Sequence, residues 1–197
     1  MRRLAVMVLF VSLTTACGSS SGTGTPASPG PTPAPMPPAP VLQTIAEFLT
    51  LNVDTGPIGV GQSVTVTGGP FANLRFRFGV PNGSETATGS LFLLDREYLG
   101  TTTALGAATA GVLASTSRIE SGEWIFEPGV TIRGSAKYWF VTTSNMRVYM
   151  TPDLGRDFYT GGEVYTGNEV LPFRQFRPTT AATIDASFQL RGSAASP

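Results

Sequence analysis

The chain has 197 residues, with 13 basic and 13 acidic side chains, 23 Gly, 16 Pro, one Cys and no His. Without His, a Ser-His-Asp triad, a Cys-His nucleophile pair and the usual zinc ligand sets are excluded. A balanced charge offers no basic patch for nucleic acid.

The first sixteen residues read as an export signal. Arg2 and Arg3 give a positive start, Leu4 to Leu13 an apolar core, and Thr14-Thr15-Ala16 the small residues before a cut. The apolar run is about half of the ~20 residues a membrane-spanning helix needs. Cys17, placed directly after Ala16, resembles the lipobox cysteine of bacterial lipoproteins, although Thr14 stands where such boxes usually carry Leu. The resemblance implies cleavage before Cys17, a diacylglyceryl thioether on its sulfur and acylation of its amine. The alternative is a conventional secretory peptide with a stray cysteine, but a lone thiol is a liability in an oxidising compartment. Two or three acyl chains would anchor the chain stably. The membrane is then a partner through the N-terminal lipid. The expected location is the bacterial cell envelope, at the outer membrane or cell surface, and Gly18 rather than Asp after the cysteine fits outer-membrane sorting. Loss of Arg2 and Arg3 with the signal leaves 11 basic residues against 13 acidic.

Residues 17–42 follow as lipidated Cys plus linker. From Gly18 to Pro40 the sequence GSSSGTGTPASPGPTPAPMPPAP has no charge and little to bury, so it cannot offset the entropy of ordering. Its Pro-rich part is expected to be a semi-rigid spacer with a reach on the order of 70 Å for the whole segment when stretched. Pro-rich tracts also bind SH3-like partners, but a spacer is the simpler reading.

Residues 43–192 suffice for one domain, with 193–197 expected as a disordered tail. Leu49, Leu51 and Val53 alternate, as do Val64 and Val66. In LRFRF, Leu74, Phe76 and Phe78 take one face and Arg75 and Arg77 the other. SLFLL (90 to 94) is apolar on both faces, as in a central strand. TALGAATAG (103 to 111) reads as a loop with one helical turn. In TIDASFQLR, Ile184, Ala186, Phe188 and Leu190 are assigned inward, and Asp185, Ser187, Gln189 and Arg191 outward. With turn residues at intervals of roughly ten, the pattern predicts an all-β, antiparallel β-sandwich of the jelly-roll type.

AKYWFVTTSNMRVYM is expected to form a hairpin around Thr143-Ser144-Asn145, pairing residue 139 with 149. Tyr138, Phe140, Met146, Val148 and Met150 would then be core. Trp139 and Tyr149 would face each other on the side of Lys137 and Arg147.

GQSVTVTGGPFANLRFRF, GSLFLLDREYLGTTTALGAATAGVLAST, EWIFEPGVTIRGSAKYWFV, YTGGEVYTG and DASFQLRG together resemble the exported bacterial choice-of-anchor R domains, over most of residues 60 to 192. Members often carry a C-terminal sorting tail. Here GSAASP follows the last predicted strand instead, and the N-terminal lipid would take over anchoring. The resemblance implies an exported β-sandwich and transfers no catalytic residue.

Three functions remain open. The first is a non-enzymatic, lipid-anchored module for cell-surface or envelope interaction, with an envelope protein or glycan as partner. The second is a carbohydrate-binding module using Trp139, Tyr149, Tyr159 and Tyr165, each with an apolar face and a polar handle. Eighteen aromatic residues fall in 43–192, so most must be core. The third is a glycoside hydrolase using two of Glu120, Glu123, Glu127, Asp153, Asp157, Glu163, Glu169 and Asp185, although acids on a sandwich are ordinarily just solvated. No cofactor is expected. Calcium is the one metal with weak candidate ligands, Asp153, Asp157 and Glu163; they lack EF-hand spacing, Arg156 sits among them, and a polar surface loop is the favoured reading.

Overall fold

Alternating side chains become strands wherever one face can be buried. The computed structural model describes residues 41–44, 51–53, 59–80, 87–150, 159–176 and 184–195. Cys17, the spacer, Asp153 and Asp157 lie outside these residues. In chain order the strands are β1 (Val41–Thr44), β2 (Leu51–Val53), β3 (Gly59–Val66), β4 (Phe71–Phe78), β5 (Leu91–Leu94), β6 (Val112–Thr116) and β7 (Ile119–Glu120). They continue with β8 (Glu123–Ile125), β9 (Ala136–Thr142), β10 (Val148–Met150), β11 (Val164–Gly167), β12 (Arg174–Gln175) and β13 (Phe188–Ala194). The expected helical turn between β5 and β6 is a 3-10 turn, Thr102–Ala104.

Five strands form an antiparallel sheet in the order β1-β13-β4-β8-β7, six form a second in the order β12-β11-β3-β9-β5-β6, and β10 pairs with β2. This is an all-β, two-sheet arrangement consistent with a β-sandwich. LRFRF behaves as its alternation demands: Leu74, Phe76 and Phe78 are buried on β4 and Arg75 and Arg77 remain half-exposed. Phe76 stacks on Phe140 of the other sheet, with ring centroids 4.5 Å apart and planes 8° from parallel. Phe188 of β13 stacks against Phe76 at 5.7 Å, and Phe78 meets it edge-on at 4.9 Å. Val60, Val64, Leu91, Leu93, Trp124, Tyr138, Met146, Val148 and Met150 complete this core. Strand β5 is an interior strand, between β9 and β6, as its doubly apolar sequence suggests.

Four expectations are corrected. First, the 143–145 hairpin does not form. Strand β9 has β3 on one edge and β5 on the other, which leaves no free edge for β10. The chain crosses out of the sheet after Thr142, and Tyr149 pairs with Asn52 instead of Trp139. Second, Asp185 and Ser187 are buried, not outward, at 0% and 2% exposure. Gln62, on the core face of β3, donates to Asp185 Oδ1 (3.2 Å) and accepts from Ala186 N–H (2.9 Å). Ser187 is tied between Gly79 and Tyr149 by main-chain bonds of 2.8 and 2.7 Å. Third, the domain begins before residue 43, because β1 starts at Val41 and pairs with β13. Fourth, the final strand runs past residue 192 to Ala194, held against Phe71.

Removing the ring that bridges the sheets should be far costlier than trimming a surface side chain. Phe76→Ala is expected to lose about 3–5 kcal/mol in chemical denaturation. Leu113→Ala, at a position 48% exposed on β6, should stay within about 0.5 kcal/mol of the parent.

Candidate functional site

The six-stranded sheet is apolar on both faces, and its outer face carries a second, smaller cluster. Phe92 and Leu94 of β5, Val141 of β9 and Tyr165 of β11 point away from the main core and pack with Tyr98, Leu105 and Phe173. These last three come from the segments 95–111 and 168–173. The two segments are joined by Phe173 N–H to Gly100 O (2.8 Å) and Thr102 N–H to Asn168 O (3.0 Å). Small residues of β3 make the space. A Cβ on Gly59 would lie 2.7 Å from Thr102 Cγ2 and 2.8 Å from Phe173 Cζ, and one on Gly61 would lie 3.2 Å from Val141 Cγ2.

Trp139 sits at the border of this cluster, half-buried against it. Lys137, two residues earlier on the same face, places Nζ 5.8 Å from the indole centroid and 3.6 Å from Glu163 Oε2. The Tyr165 hydroxyl donates to the same carboxylate oxygen at 3.3 Å. An aromatic face, an ammonium, a carboxylate and a phenol therefore share one patch, held by neighbouring strands β9, β3 and β11. Trp139 is opposite Ser63, and Tyr165 opposite Gly61, so the strand between them contributes no bulky side chain.

Burial pushes the Tyr165 phenol up to about 12, and the carboxylates of Glu97 and Glu163 reinforce the shift. The Trp139 indole N–H is near enough to the phenol oxygen to oppose it, yet it makes no hydrogen bond and is itself buried. We read it as an approach too long or too bent for a bond.

The other predicted aromatics lie elsewhere. Tyr159 packs edge-on against Phe188 of the main core at 5.5 Å. Its hydroxyl accepts from Thr65 N–H at 3.0 Å, so its polar handle supports a strand. Burial pushes this phenol up to about 12 as well, with the Thr65 backbone opposing and Asp185 adding. Tyr149 is half-buried on β10. Of the four aromatics, the structure joins Trp139 and Tyr165.

Several candidate acids are engaged. Glu123 is only 3% exposed; Arg191 holds it through Nε at 3.0 Å and a closer Nη2 contact, with Arg75 at 3.9 Å. Glu120 pairs with Arg118 at 2.6 Å, and Glu127 and Glu169 are exposed in loops. Glu163 belongs to the Lys137 patch, and the other two calcium candidates, Asp153 and Asp157, lie outside the described residues. No group of three acidic or sulfur ligands suited to a metal occurs among the described residues. A shallow groove between the Gly68–Pro70 and Arg133–Ser135 turns contains none of the predicted site residues.

Sequence reasoning missed Glu97, which follows a continuous apolar strand, and missed the part Lys137 plays. Both depend on segments distant in the chain meeting over one sheet face. The lone lysine of the sequence was the available signal. Compared with known proteins, the chain matches no family model, no curated protein and no solved structure.

The buried phenols predict an alkaline limit to stability. Folding keeps Tyr159 and Tyr165 neutral up to about 12, whereas in the unfolded chain they release protons near 10.0, the ordinary value for a phenol. The folded state then holds more protons than the unfolded state, so stability is complete below about pH 10 and falls as the pH rises toward about 12. Burial raises the Tyr98 phenol too, so phenolate absorbance should show Tyr98, Tyr159 and Tyr165 titrating later in native protein than in urea. Coincident native and denatured curves would contradict this.

Proposed function

We propose that the chain is a non-enzymatic, lipid-anchored module of the bacterial cell envelope that displays the outer face of its six-stranded sheet for interaction. The observation that carries this reading is the half-buried patch of Lys137, Trp139, Glu163 and Tyr165, assembled outside the main core on a braced sheet face. Cys17 and the Pro-rich spacer support display: a lipid would hold the chain at the outer membrane or cell surface, and an extended linker would give the sandwich reach. The likeness to choice-of-anchor R domains supports the same reading, and we extend it to a jelly-roll chain path, with which the many non-consecutive strand neighbours are compatible.

A second reading is favoured by the adjacency of Trp139 and Tyr165: the patch binds a saccharide, with the indole taking the apolar face of a sugar ring and the polar groups its hydroxyls. This rests on chemistry that recurs on many folds. A carboxylate glycosidase is the least favoured, since Glu123 and Glu163 are already paired with cations.

The lipid is tested by growing cells with labelled palmitate. Label is expected in the parent and absent from Cys17→Ser, which should leave the membrane fraction. Label retained by the variant would overturn the tether.

For the patch, purified full-length protein in detergent is screened on a broad glycan and envelope-protein array. Trp139→Ala should weaken a hit by about tenfold or more, in line with the loss of a stacked aromatic anchor. Reducing-sugar release abolished by Glu163→Gln would replace binding with hydrolysis.

A further inference from the structure

Resting on the saccharide reading of the patch, we propose that its ligand is an amino sugar whose primary ammonium takes the position that Lys137 Nζ holds in the free protein. The geometry of Lys137 shows what the corner accepts. An ammonium there lies 3.6 Å from the Glu163 carboxylate and 5.8 Å from the centre of the indole, which are the two partners that hold a cation at a protein surface. The carboxylate is steadied from below by the Tyr165 hydroxyl at 3.3 Å, and Tyr165 is itself 4% exposed. The Lys137 side chain is 36% exposed and that of Glu163 28%, and an ion pair at that exposure exchanges readily.

Charge points the same way. Glu97 also faces Tyr165, closely enough to act on its phenol, and it has no ion pair among the described residues. Its neighbour Arg96 turns to Asp95 at 2.9 Å. Glu163 and Glu97 therefore both act on the Tyr165 phenol, while Lys137 pairs with Glu163 alone, and the patch favours a cationic ligand over an acidic one. A pyranose with an amine on its ring carries an ammonium and an apolar ring face within one sugar unit. That pairing matches a carboxylate and an indole bridged by a single lysine.

The probes are β-1,4-linked oligomers of glucosamine, N-acetylglucosamine and glucose of equal length, which differ only in the ring substituent, with an oligolysine peptide of equal charge. Binding to full-length protein in detergent is measured at mildly acidic pH, where the glucosamine amines are protonated. The glucosamine oligomer is expected to bind about tenfold tighter than either isostere. Glu163→Gln, at a side chain 28% exposed, should remove most of that preference, and the exposed Glu97→Gln should reduce it with Tm unchanged. Lys137→Met should tighten glucosamine binding severalfold, because the internal competitor is gone. Weaker binding by Lys137→Met, or equal binding of all three oligomers, would overturn the ammonium inference and leave the saccharide reading standing. Oligolysine bound as well as glucosamine would overturn the assignment to a sugar. No binding of any saccharide would overturn both.

Discussion

The contact on which the two-sheet arrangement depends is the stack of Phe76 on Phe140. One ring belongs to the five-stranded sheet and the other to the six-stranded sheet, and their near-parallel approach at 4.5 Å sets the two layers against each other. Phe188, Phe78 and Phe126 pack around this pair at centroid distances of 4.9 to 6.2 Å. Aromatic contacts of this kind add to the apolar area removed from water, and the main-chain ladders on either side hold the rings in register. A strand that slipped by one residue would turn Arg75 or Arg77 into this space.

The six-stranded sheet must satisfy water-avoiding side chains on both of its faces. It does so with the other sheet on one side and two hydrogen-bonded connections on the other. Glycine at positions 59 and 61 is required by the closeness of that second cover, because a Cβ would occupy the space of Thr102, Phe173 and Val141. Within the main core, the buried amide of Gln62 is tolerated because it donates to Asp185 and accepts from Ala186. A buried polar group without such partners would be costly. On the outer surface of the five-stranded sheet, Glu123 is similarly buried with its charge met by Arg191 and Arg75.

The Trp139 patch follows from these constraints. The covering segments shield Val141 and Tyr165 but stop short of Lys137 and part of Trp139, so an aromatic surface and charged groups are left at the edge of an apolar layer. A patch of this composition can discriminate ligands because its scaffold is stiff: strands of one ladder carry its side chains, and backbone bonds hold the cover above.

The sequence by itself determined the strand-forming stretches and most of their faces. The alternation of Leu74, Phe76 and Phe78, of Val64 and Val66, and of Phe188 and Leu190 has a period of two, which only a pleated strand with one buried face satisfies. The doubly apolar β5 announced an interior strand for the same reason. Pairing was a different matter. A hairpin between β9 and β10 was locally reasonable, yet β9 bonds on both edges to strands distant in the chain, and alternation does not say which strands will be neighbours. The inward position of Asp185 was hidden because a carboxylate reads as outward until its buried partner, Gln62, 123 residues away, is known. Trp139 and Tyr165 could be chosen from residue type, while the exclusion of Tyr149 and Tyr159 and the arrival of Glu97 were decided by tertiary structure alone. Local pattern sets which way a side chain faces; only the packing of distant segments decides what it meets there.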